Sequence, residues 1–377
     1  MAVSINKLAR KSLSLIEPYV PGKPAEVLFR EKGISRIIKL ASNENPFGPS
    51  PEALKAIKKK LSGINRYPEG SAFELKEKLA CLLKTRNDQI IVGNGSSEII
   101  SMAIQSFCEP GDEIVFPSPS FIIYKILAHA FGAIPVTVKL NSDMRYNIES
   151  FFEKISGKTK IVILCNPNNP TGSHINKKQL EKFMKNIPER IVILSDEAYF
   201  EYAEDPQFGS CIDWLGRKNV IVTRTFSKIY GLAGLRIGYG IATQDIIKTM
   251  EKIRPPFNTT SLAQYAALAA IDDHVFVEKS LINNRKEKKF LAENLKNLGF
   301  NVFPSQANFI FCSHKLNAGT ICKELEEKGI ILRPMAGFGM KDNFIRITIG
   351  KPFENRLLIK ELRSIIARGG YHEKTGS

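Results

Sequence analysis

Lys228 is placed where its amine could act as a nucleophile. It follows the apolar segment 220–223 after four residues. A lysine buried at the end of a strand loses its proton more easily than one in water, and the neutral amine is reactive. The hydroxyl groups of Thr225 and Ser227, with Arg236 eight residues beyond Lys228, could bind a phosphate. A surface charge is the usual alternative for a single lysine.

Two other loops carry polar groups that could serve the same chemistry. Asp196 follows the apolar segment 191–194, and a buried acid is costly unless it meets a cation. Tyr199, three residues later, could point to the same side. Asn169 lies in a loop with two prolines and a glycine, which would hold its amide in one direction. A helix N-cap and a structural turn are the alternatives.

A third loop, at Gly95, Ser96 and Ser97, precedes a predicted helix. Free N–H groups at a helix start, beside small and hydroxyl residues, form an anion site. A dinucleotide fingerprint would need a third glycine where Glu98 stands, and an acid after the next strand, which ends in 116–118 instead. The loop therefore favours a lone phosphate, with a plain N-cap as the alternative.

The elements around these loops alternate between strands and helices. Short β-branched segments predict strands at 90–92, 113–116, 134–138, 161–165, 191–194, 220–223 and 237–241. Helical patterns fall between them at 97–107, 121–131, 148–155 and 177–185. This alternation predicts a doubly wound α/β domain with a mostly parallel sheet. Ligands of such sheets bind beyond the carboxyl ends of the strands, where the loops above lie.

The pattern changes after Pro255-Pro256. One long helix is predicted at 263–297, and shorter strands and helices follow, as expected of a smaller α+β domain. Residues 18–24 contain three prolines and a glycine, which predict a mobile or extended arm over the first forty residues. We expect three parts: an arm at 1–42 that joins the small domain, a large domain at 43–260, and a small domain at 261–377.

Composition narrows the function classes. The chain is 43% hydrophobic and 24% charged, as in a soluble globular protein, and no apolar run approaches the ~20 residues of a membrane helix. The net charge of +16 is scattered, and no DNA-binding motif accompanies it, so we expect no nucleic-acid partner. The six cysteines form no CxxC pair or zinc pattern, so no metal is expected. Residues 1–17 lack the apolar core of a signal peptide, and a cytoplasmic location is expected.

Several motifs together resemble the fold-type-I pyridoxal-phosphate aminotransferases over nearly the whole chain. Within that group the chain is most similar to the histidinol-phosphate aminotransferases. The motifs are Asn-Pro-Thr-Gly at 169–172, Asp-Glu-Ala-Tyr at 196–199, Thr-Phe-Ser-Lys at 225–228 with Arg236, and the segments 18–24, 40–46, 66–68, 333–334 and 346–348. The resemblance implies a large pyridoxal-phosphate-binding α/β domain and a smaller α+β domain.

The resemblance also implies roles for residues around the cofactor, pyridoxal 5'-phosphate. Lys228 would bind its aldehyde and then move a proton between the substrate and the cofactor. Asp196 would pair with the ring nitrogen, and Tyr199 and Asn169 would hydrogen-bond the phenolic oxygen. Phe121 would stack on the ring, although many relatives have tyrosine there, so no hydroxyl contact is carried over. The phosphate would meet Gly95, Ser96, Ser97, Thr225, Ser227, Arg236 and, from a second subunit of a homodimer, Tyr67.

Substrate residues follow by the same resemblance. Arg346 would bind the carboxylate of glutamate or 2-oxoglutarate, and in the other half-reaction the phosphate of histidinol phosphate, with help from Arg333. Tyr19 and Asn43 would close over the substrate. The expected reaction is transamination of histidinol phosphate in histidine biosynthesis. An aromatic amino-acid aminotransferase, a threonine-phosphate decarboxylase and a DNA-binding regulator on this fold are the alternatives.

Overall fold

The computed structural model describes residues 8–372, and a seven-stranded sheet lies at its centre. Residues 1–7 and 373–377, which fall in the predicted arm and small domain, lie outside the described residues. The strands run in the order β2-β8-β7-β6-β5-β3-β4. Six of the seven strands run in one direction, and β8 runs in the opposite direction, antiparallel to both β2 and β7. The bounds are β2 Ile90–Gly93, β3 Glu113–Ser118, β4 Ile134–Lys139, β5 Thr159–Cys165, β6 Val192–Asp196, β7 Val220–Thr225 and β8 Gly238–Ala242.

The central strands are apolar on both faces because helices cover both faces. Along β5, Val162 and Leu164 enter one core cluster, while Ile161 and Ile163 enter the cluster on the opposite face. This period-2 division is the one that a strand imposes on its side chains. The sheet is thus the middle layer of a three-layer α/β fold, as the sequence predicts.

Nine helices of the described chain accompany this sheet or the arm. They are α1 Ala25–Lys32, α2 Pro51–Lys60, α3 Phe73–Leu83, α4 Ser96–Phe107, α5 Ile123–Ala130, α6 Glu149–Lys154, α7 Lys177–Asn186, α8 Gln244–Glu251 and α9 Ser261–Ile271. The helix α9 contributes Ala263, Ala266 and Ala270 to the same core cluster as α3. No helix within residues 8–372 is long and apolar enough to cross a membrane.

The C-terminal part forms a separate core around a second sheet. Four strands run in the order β12-β13-β10-β9, and β1 pairs in parallel with β11. The bounds are β1 Ile38–Lys39, β9 Asn301–Phe303, β10 Phe309–Ser313, β11 Ile330–Ile331, β12 Arg333–Pro334 and β13 Phe344–Thr348, with helices α10 His274–Asn297, α11 Ala318–Glu326 and α12 Pro352–His372. Because β1 belongs to the arm, the arm joins this part.

Two local expectations differ from the structure. The arm is not extended throughout, because α1 begins directly after Pro24, whose ring suits a helix start. The predicted helix at 263–297 is two helices, α9 and α10, separated at Asp272 and Asp273. The Asp273 side chain accepts a hydrogen bond from the N–H of Phe276, so it caps α10 instead of continuing α9.

A buried ion pair joins the ends of β6 and β7. The Arg224 guanidinium donates to Glu197 Oε2 at 2.9 Å and 3.2 Å, and both residues are buried. The carboxylate also accepts hydrogen bonds from Ser210 Oγ and Cys211 N. The guanidinium carbon lies 3.4 Å from the ring centroid of Phe200, in a cation–π contact. This network fixes the strand ends from which the loops of the site emerge.

Replacing Arg224 with Met should lower the free energy of unfolding by about 3–5 kcal/mol, because Glu197 would keep a buried charge without its partner. Urea denaturation checks this. The control is Arg285→Met, which breaks the exposed pair with Glu204 and should cost less than about 1 kcal/mol. Equal costs for the two variants would contradict a structural role for the buried pair.

Candidate active site

A cleft of about 270 Å³ opens at the carboxyl ends of β5, β6 and β7. Both the large sheet and the C-terminal part contribute to it. It brings together most of the site residues that the sequence predicts, namely Tyr19, Asn43, Ser96, Ser97, Phe121, Asn169, Asp196, Tyr199, Thr225, Ser227, Lys228, Arg236, Arg333 and Arg346. Gly95 is next to this lining, directly before α4.

Lys228 follows β7 and points its amine into the cleft. Its Nζ atom lies 5.6 Å from the ring centroid of Tyr199. The pKa of Lys228 is lowered to about 8. Burial is the main cause, and the nearby positive charge of Arg346 contributes to the same shift. The amine is therefore neutral in a much larger fraction of molecules near neutral pH than a surface lysine is. This is the state in which it can attack a carbonyl.

Asp196 ends β6 and is 3% exposed. Its Oδ2 atom accepts a hydrogen bond of 2.6 Å from the Tyr124 hydroxyl. Its Oδ1 atom accepts longer bonds from Ala198 N at 3.3 Å and Thr223 Oγ1 at 3.5 Å. Burial raises the pKa of Asp196, and the bond from Tyr124 opposes that rise. The carboxylate thus faces the cleft with capacity to pair with a cation.

Tyr199 and Asn169 are oriented so that each keeps a proton to donate into the cleft. The Tyr199 hydroxyl accepts a bond of 2.8 Å from Asn43 Nδ2, which leaves its own proton available. The Asn169 Oδ1 atom accepts from Arg346 Nη1 at 2.6 Å, which leaves the amide NH₂ available. Burial raises the pKa of Tyr199. Two neutral donors therefore face the same space.

Asn43 is a junction between the arm and both parts of the chain. It is 1% exposed, and its φ of 57° lies in the left-handed region, which asparagine tolerates. Its N–H donates to Thr348 Oγ1 at 2.9 Å, while its amide donates to Tyr199. The structure therefore gives Asn43 a buried position behind Tyr199, although it still lines the cleft.

Arg346 and Arg333 form the positive end of the cleft. They lie opposite each other on β13 and β12. Arg346 is buried, and its Nε atom has no hydrogen-bond partner among the described residues. Burial lowers the pKa of Arg346, and the charge of Arg333 lowers it further. Two close positive charges and an unpartnered donor are satisfied by an anion bound between them.

A second anion site surrounds the start of α4. The Thr225 and Ser227 hydroxyl groups lie 3.0 Å apart, and Arg236 Nη1 donates to Ser227 Oγ at 3.4 Å. Gly95 has a φ of 76°, and a Cβ there would lie 2.5 Å from Arg236 Nη2. Hydroxyl groups, a guanidinium and helix N–H groups therefore converge beside Gly95, where the positive φ favours glycine. This arrangement suits a phosphate.

Among the predicted cofactor residues, Tyr67 lies apart from the cleft, whereas Gly95 adjoins its lining. Its side chain is 81% exposed and stacks on Phe257, with ring centroids 4.6 Å apart. Both residues line a larger surface hollow of about 960 Å³. Arg236 lines this hollow as well as the cleft, so the two spaces meet at Arg236.

Sequence reasoning missed Tyr124 and Glu44. Tyr124 lies three residues after Phe121 in a segment that reads as a plain apolar helix. The signal was available, since a tyrosine hydroxyl in such a helix needs a buried partner. Glu44 lines the cleft and pairs with Lys39 at 2.8 Å. Its position between two asparagines gives no sign of that contact.

The comparisons with known proteins agree with this geometry. The model of the family "Aminotransferase class I and II" matches residues 35–362. The chain belongs to the class I and II aminotransferases. Among similar members of this family, histidinol-phosphate aminotransferase 2 of Carboxydothermus hydrogenoformans is 43% identical over 363 residues, covering 95% of this chain and 99% of that protein. Histidinol-phosphate aminotransferase of Moorella thermoacetica is 41% identical, covering 95% and 93%.

Solved aminotransferase structures share the fold. Histidinol-phosphate aminotransferase from Sinorhizobium meliloti, in complex with pyridoxal 5'-phosphate, superposes with a TM-score of 0.86 at 27% identity, covering 95% of this chain and 98% of that one. The enzyme from Clostridium acetobutylicum gives a TM-score of 0.82 at 29% identity, covering 88% and 100%. The family and fold class predicted from the motifs are thereby confirmed.

Proposed function

We propose that this aminotransferase uses pyridoxal 5'-phosphate to exchange the amino group of L-histidinol phosphate with 2-oxoglutarate, giving imidazole-acetol phosphate and glutamate. The observation that carries the proposal is the pair Arg333 and Arg346, which faces the buried amine of Lys228 across one cleft. The names of the similar proteins support the same substrate. The reaction would serve histidine biosynthesis.

The residues of the cleft fit the cofactor. Its phosphate suits the site at Ser227 and Arg236, where Gly95 leaves room. The carboxylate of Asp196 suits a protonated ring nitrogen, and the donors on Tyr199 and Asn169 suit a phenolic oxygen. Phe121 lines the same cleft and offers a flat apolar face.

The chain's own residues would perform the proton chemistry. When bound, pyridoxal 5'-phosphate supplies an electron sink for the bond that breaks at the substrate. The Lys228 amine would take the proton from the substrate Cα and return it at C4' of the cofactor. Asp196 would hold the proton on the ring nitrogen. Tyr199 and Asn169 would stabilise negative charge on the phenolic oxygen. Asp196, Tyr199 and Asn169 are buried and Lys228 is half-buried, which would limit the access of water to these transfers.

Substrate recognition would depend on the positive end of the cleft. Histidinol phosphate has no carboxylate, whereas glutamate has two, so one anion site must accept either group in turn. Arg346 offers a planar fork that suits both phosphate and carboxylate. Arg333 adds a second charge, which favours the doubly charged phosphate. Tyr19 lies beside it, 5.8 Å from the guanidinium carbon to the ring centroid, and would close the site.

The half-reaction of the purified, cofactor-loaded protein tests the substrate. Histidinol phosphate should convert the bound chromophore at concentrations where phenylalanine and phosphothreonine do not, because only its phosphate meets both arginines without an extra carboxylate. Absorbance spectra recorded during titration measure the conversion. Lys228→Ala, the control, should slow conversion by at least ~10²-fold, as expected when a positioned acid–base group is removed. Faster conversion by phenylalanine would favour an aromatic amino-acid aminotransferase.

The pH dependence of cofactor loading tests the environment of Lys228. Only the neutral amine reacts with an aldehyde, and a pKa of about 8 makes it neutral above that pH. The rate at which the apoenzyme takes up the cofactor should therefore rise with pH, reach half its maximum near pH 8 and level off about one unit above that. Surface lysines have pKa values of about 10.4, so the rate at which they react would continue to rise to higher pH. A stopped-flow profile that continues to rise toward pH 10 would refute the depressed pKa.

We also propose that the enzyme is a homodimer in which Tyr67 completes the phosphate site of the partner. Tyr67 and Phe257 are exposed, and Ile64 beside them is 63% exposed. These apolar groups line the hollow that meets the cleft at Arg236. A second copy seated there would cover them and bring a phenol to the cofactor phosphate.

Mixed dimers test the shared site. A dimer of one Lys228→Ala subunit and one Tyr67→Ala subunit should regain activity, because one of its two sites has both residues. A dimer of Lys228→Ala with Asp196→Asn is the matched control, since both residues line the cleft of the same chain and no site is complete. Activity of tagged, purified heterodimers measures the rescue. No rescue in the first pair would show that Tyr67 does not act across an interface.

The division into parts and the location are also proposals. Since α9 shares a core cluster with α3, we place the large domain at 43–271 and join the arm at 1–42 to a small domain from α10 onward. We infer a cytoplasmic enzyme, consistent with six free cysteines in the described chain.

A further inference from the structure

The Tyr124 hydroxyl is a polar group that packing does not explain. Tyr124 lies on α5, is 0% exposed, and packs edge-to-face against Phe116 and Phe121. A phenylalanine would make the same ring contacts. A buried hydroxyl is costly unless it is hydrogen-bonded. Its bond goes to Asp196 Oδ2 at 2.6 Å, within the range of bonds to charged oxygens.

The geometry divides the two oxygens of Asp196 between two tasks. Oδ2 is taken by Tyr124, whereas within residues 8–372 Oδ1 has the long contacts to Ala198 and Thr223 and no shorter one. A short bond from a fully buried, rigidly packed phenol also fixes the carboxyl rotation. Oδ1 is thus left with capacity for a stronger, charged donor from the cleft.

Asp196 needs this partner because burial works against its charge. A carboxylate beside a ring nitrogen can share the proton in two ways, as an ion pair or as a neutral acid beside a neutral ring. Burial favours the neutral pair, whereas a donor to the carboxylate favours the ion pair. The charge of Lys228 also favours the charged carboxylate, but that amine would be used to bind the cofactor, whereas the Tyr124 hydroxyl would stay in place.

We propose that Tyr124 is a positioning residue, whose hydroxyl holds Asp196 as an oriented anion so that the ring nitrogen of the bound cofactor keeps its proton. This inference rests on the proposed use of pyridoxal 5'-phosphate. Tyr124 acts through Asp196 and touches no substrate. The electron-withdrawing power of the cofactor would then depend on a group one layer behind the cleft.

The test compares two buried tyrosines. Tyr124→Phe removes the hydroxyl from Asp196. The matched control is Tyr146→Phe, which removes an equally short bond of 2.6 Å from a 2% exposed tyrosine to the carbonyl of Cys165, beside Asp196 in the sheet. Both variants keep the ring, and thermal melting of the apoenzymes verifies that both fold.

Two readouts other than activity report on the cofactor. Nitrogen-15 NMR of the holoenzyme, loaded with ¹⁵N-labelled pyridoxal 5'-phosphate, shows directly whether the ring nitrogen is protonated. Tyr124→Phe should shift this resonance toward the unprotonated position, and Tyr146→Phe should not. Cofactor affinity, from equilibrium dialysis, should fall by about tenfold or more in Tyr124→Phe, the usual cost of a bond to a charged group. It should stay unchanged in Tyr146→Phe.

A double-mutant cycle decides whether the hydroxyl acts through the carboxylate. Adding Tyr124→Phe to Asp196→Asn should weaken cofactor binding no further, because the partner charge is already gone. An additive loss would overturn the proposal, as would a protonated nitrogen in Tyr124→Phe or equal losses in both tyrosine variants. If the unaltered protein binds no cofactor, the proposed function fails first, so the two failures are distinct.

Discussion

The burial of charged groups at the carboxyl edge of the large sheet is the constraint on which the site depends. Asp196 ends β6, Lys228 follows the adjacent strand β7, and Arg346 reaches them from the second sheet. Taking such groups out of water costs several kcal/mol each unless partners replace the water. Asp196 and Arg346 have such partners in Tyr124 and Asn169. The same desolvation lowers the pKa of Lys228, which raises the fraction of neutral amine, and it strengthens the binding of anions at the arginines.

The residues joined by these hydrogen bonds are far apart in the sequence. The bonds therefore hold the two parts of the structure together. Asn169 binds Arg346, and Asn43 binds both Tyr199 and Thr348. The bonds from Arg346 to Asn169 and from Asn43 to Thr348 reach β13, and the bond to Tyr199 fixes Asn43 against the loop after β6. The cleft is consequently an interface, and its geometry depends on how the C-terminal core sits against the sheet. The pairing of β1 with β11 links the arm to the same C-terminal part.

The sequence predicts the strands well because their apolar runs and following loops are local signals. It also predicts which loops meet, since parallel strands place their carboxyl ends at one edge. Other features depend on partners far away in sequence. Asp273 caps a new helix only because the chain turns there, and Tyr124 reads as apolar until its contact with Asp196 is seen. The roles of the individual site residues stay predictions that the experiments above test.

The reversal of β8 has a consequence for how the site tolerates change. Because β8 is antiparallel to β7, the loop from Phe226 to Ile237 that connects them begins and ends at the same edge of the sheet. This one loop carries both the reactive amine of Lys228 and the guanidinium of Arg236. Lengthening it by even one residue would misplace an acid–base group and an anchor together. Loops at the opposite edge of the sheet lie away from the cleft and carry neither of these groups. Tags or insertions are therefore better placed there.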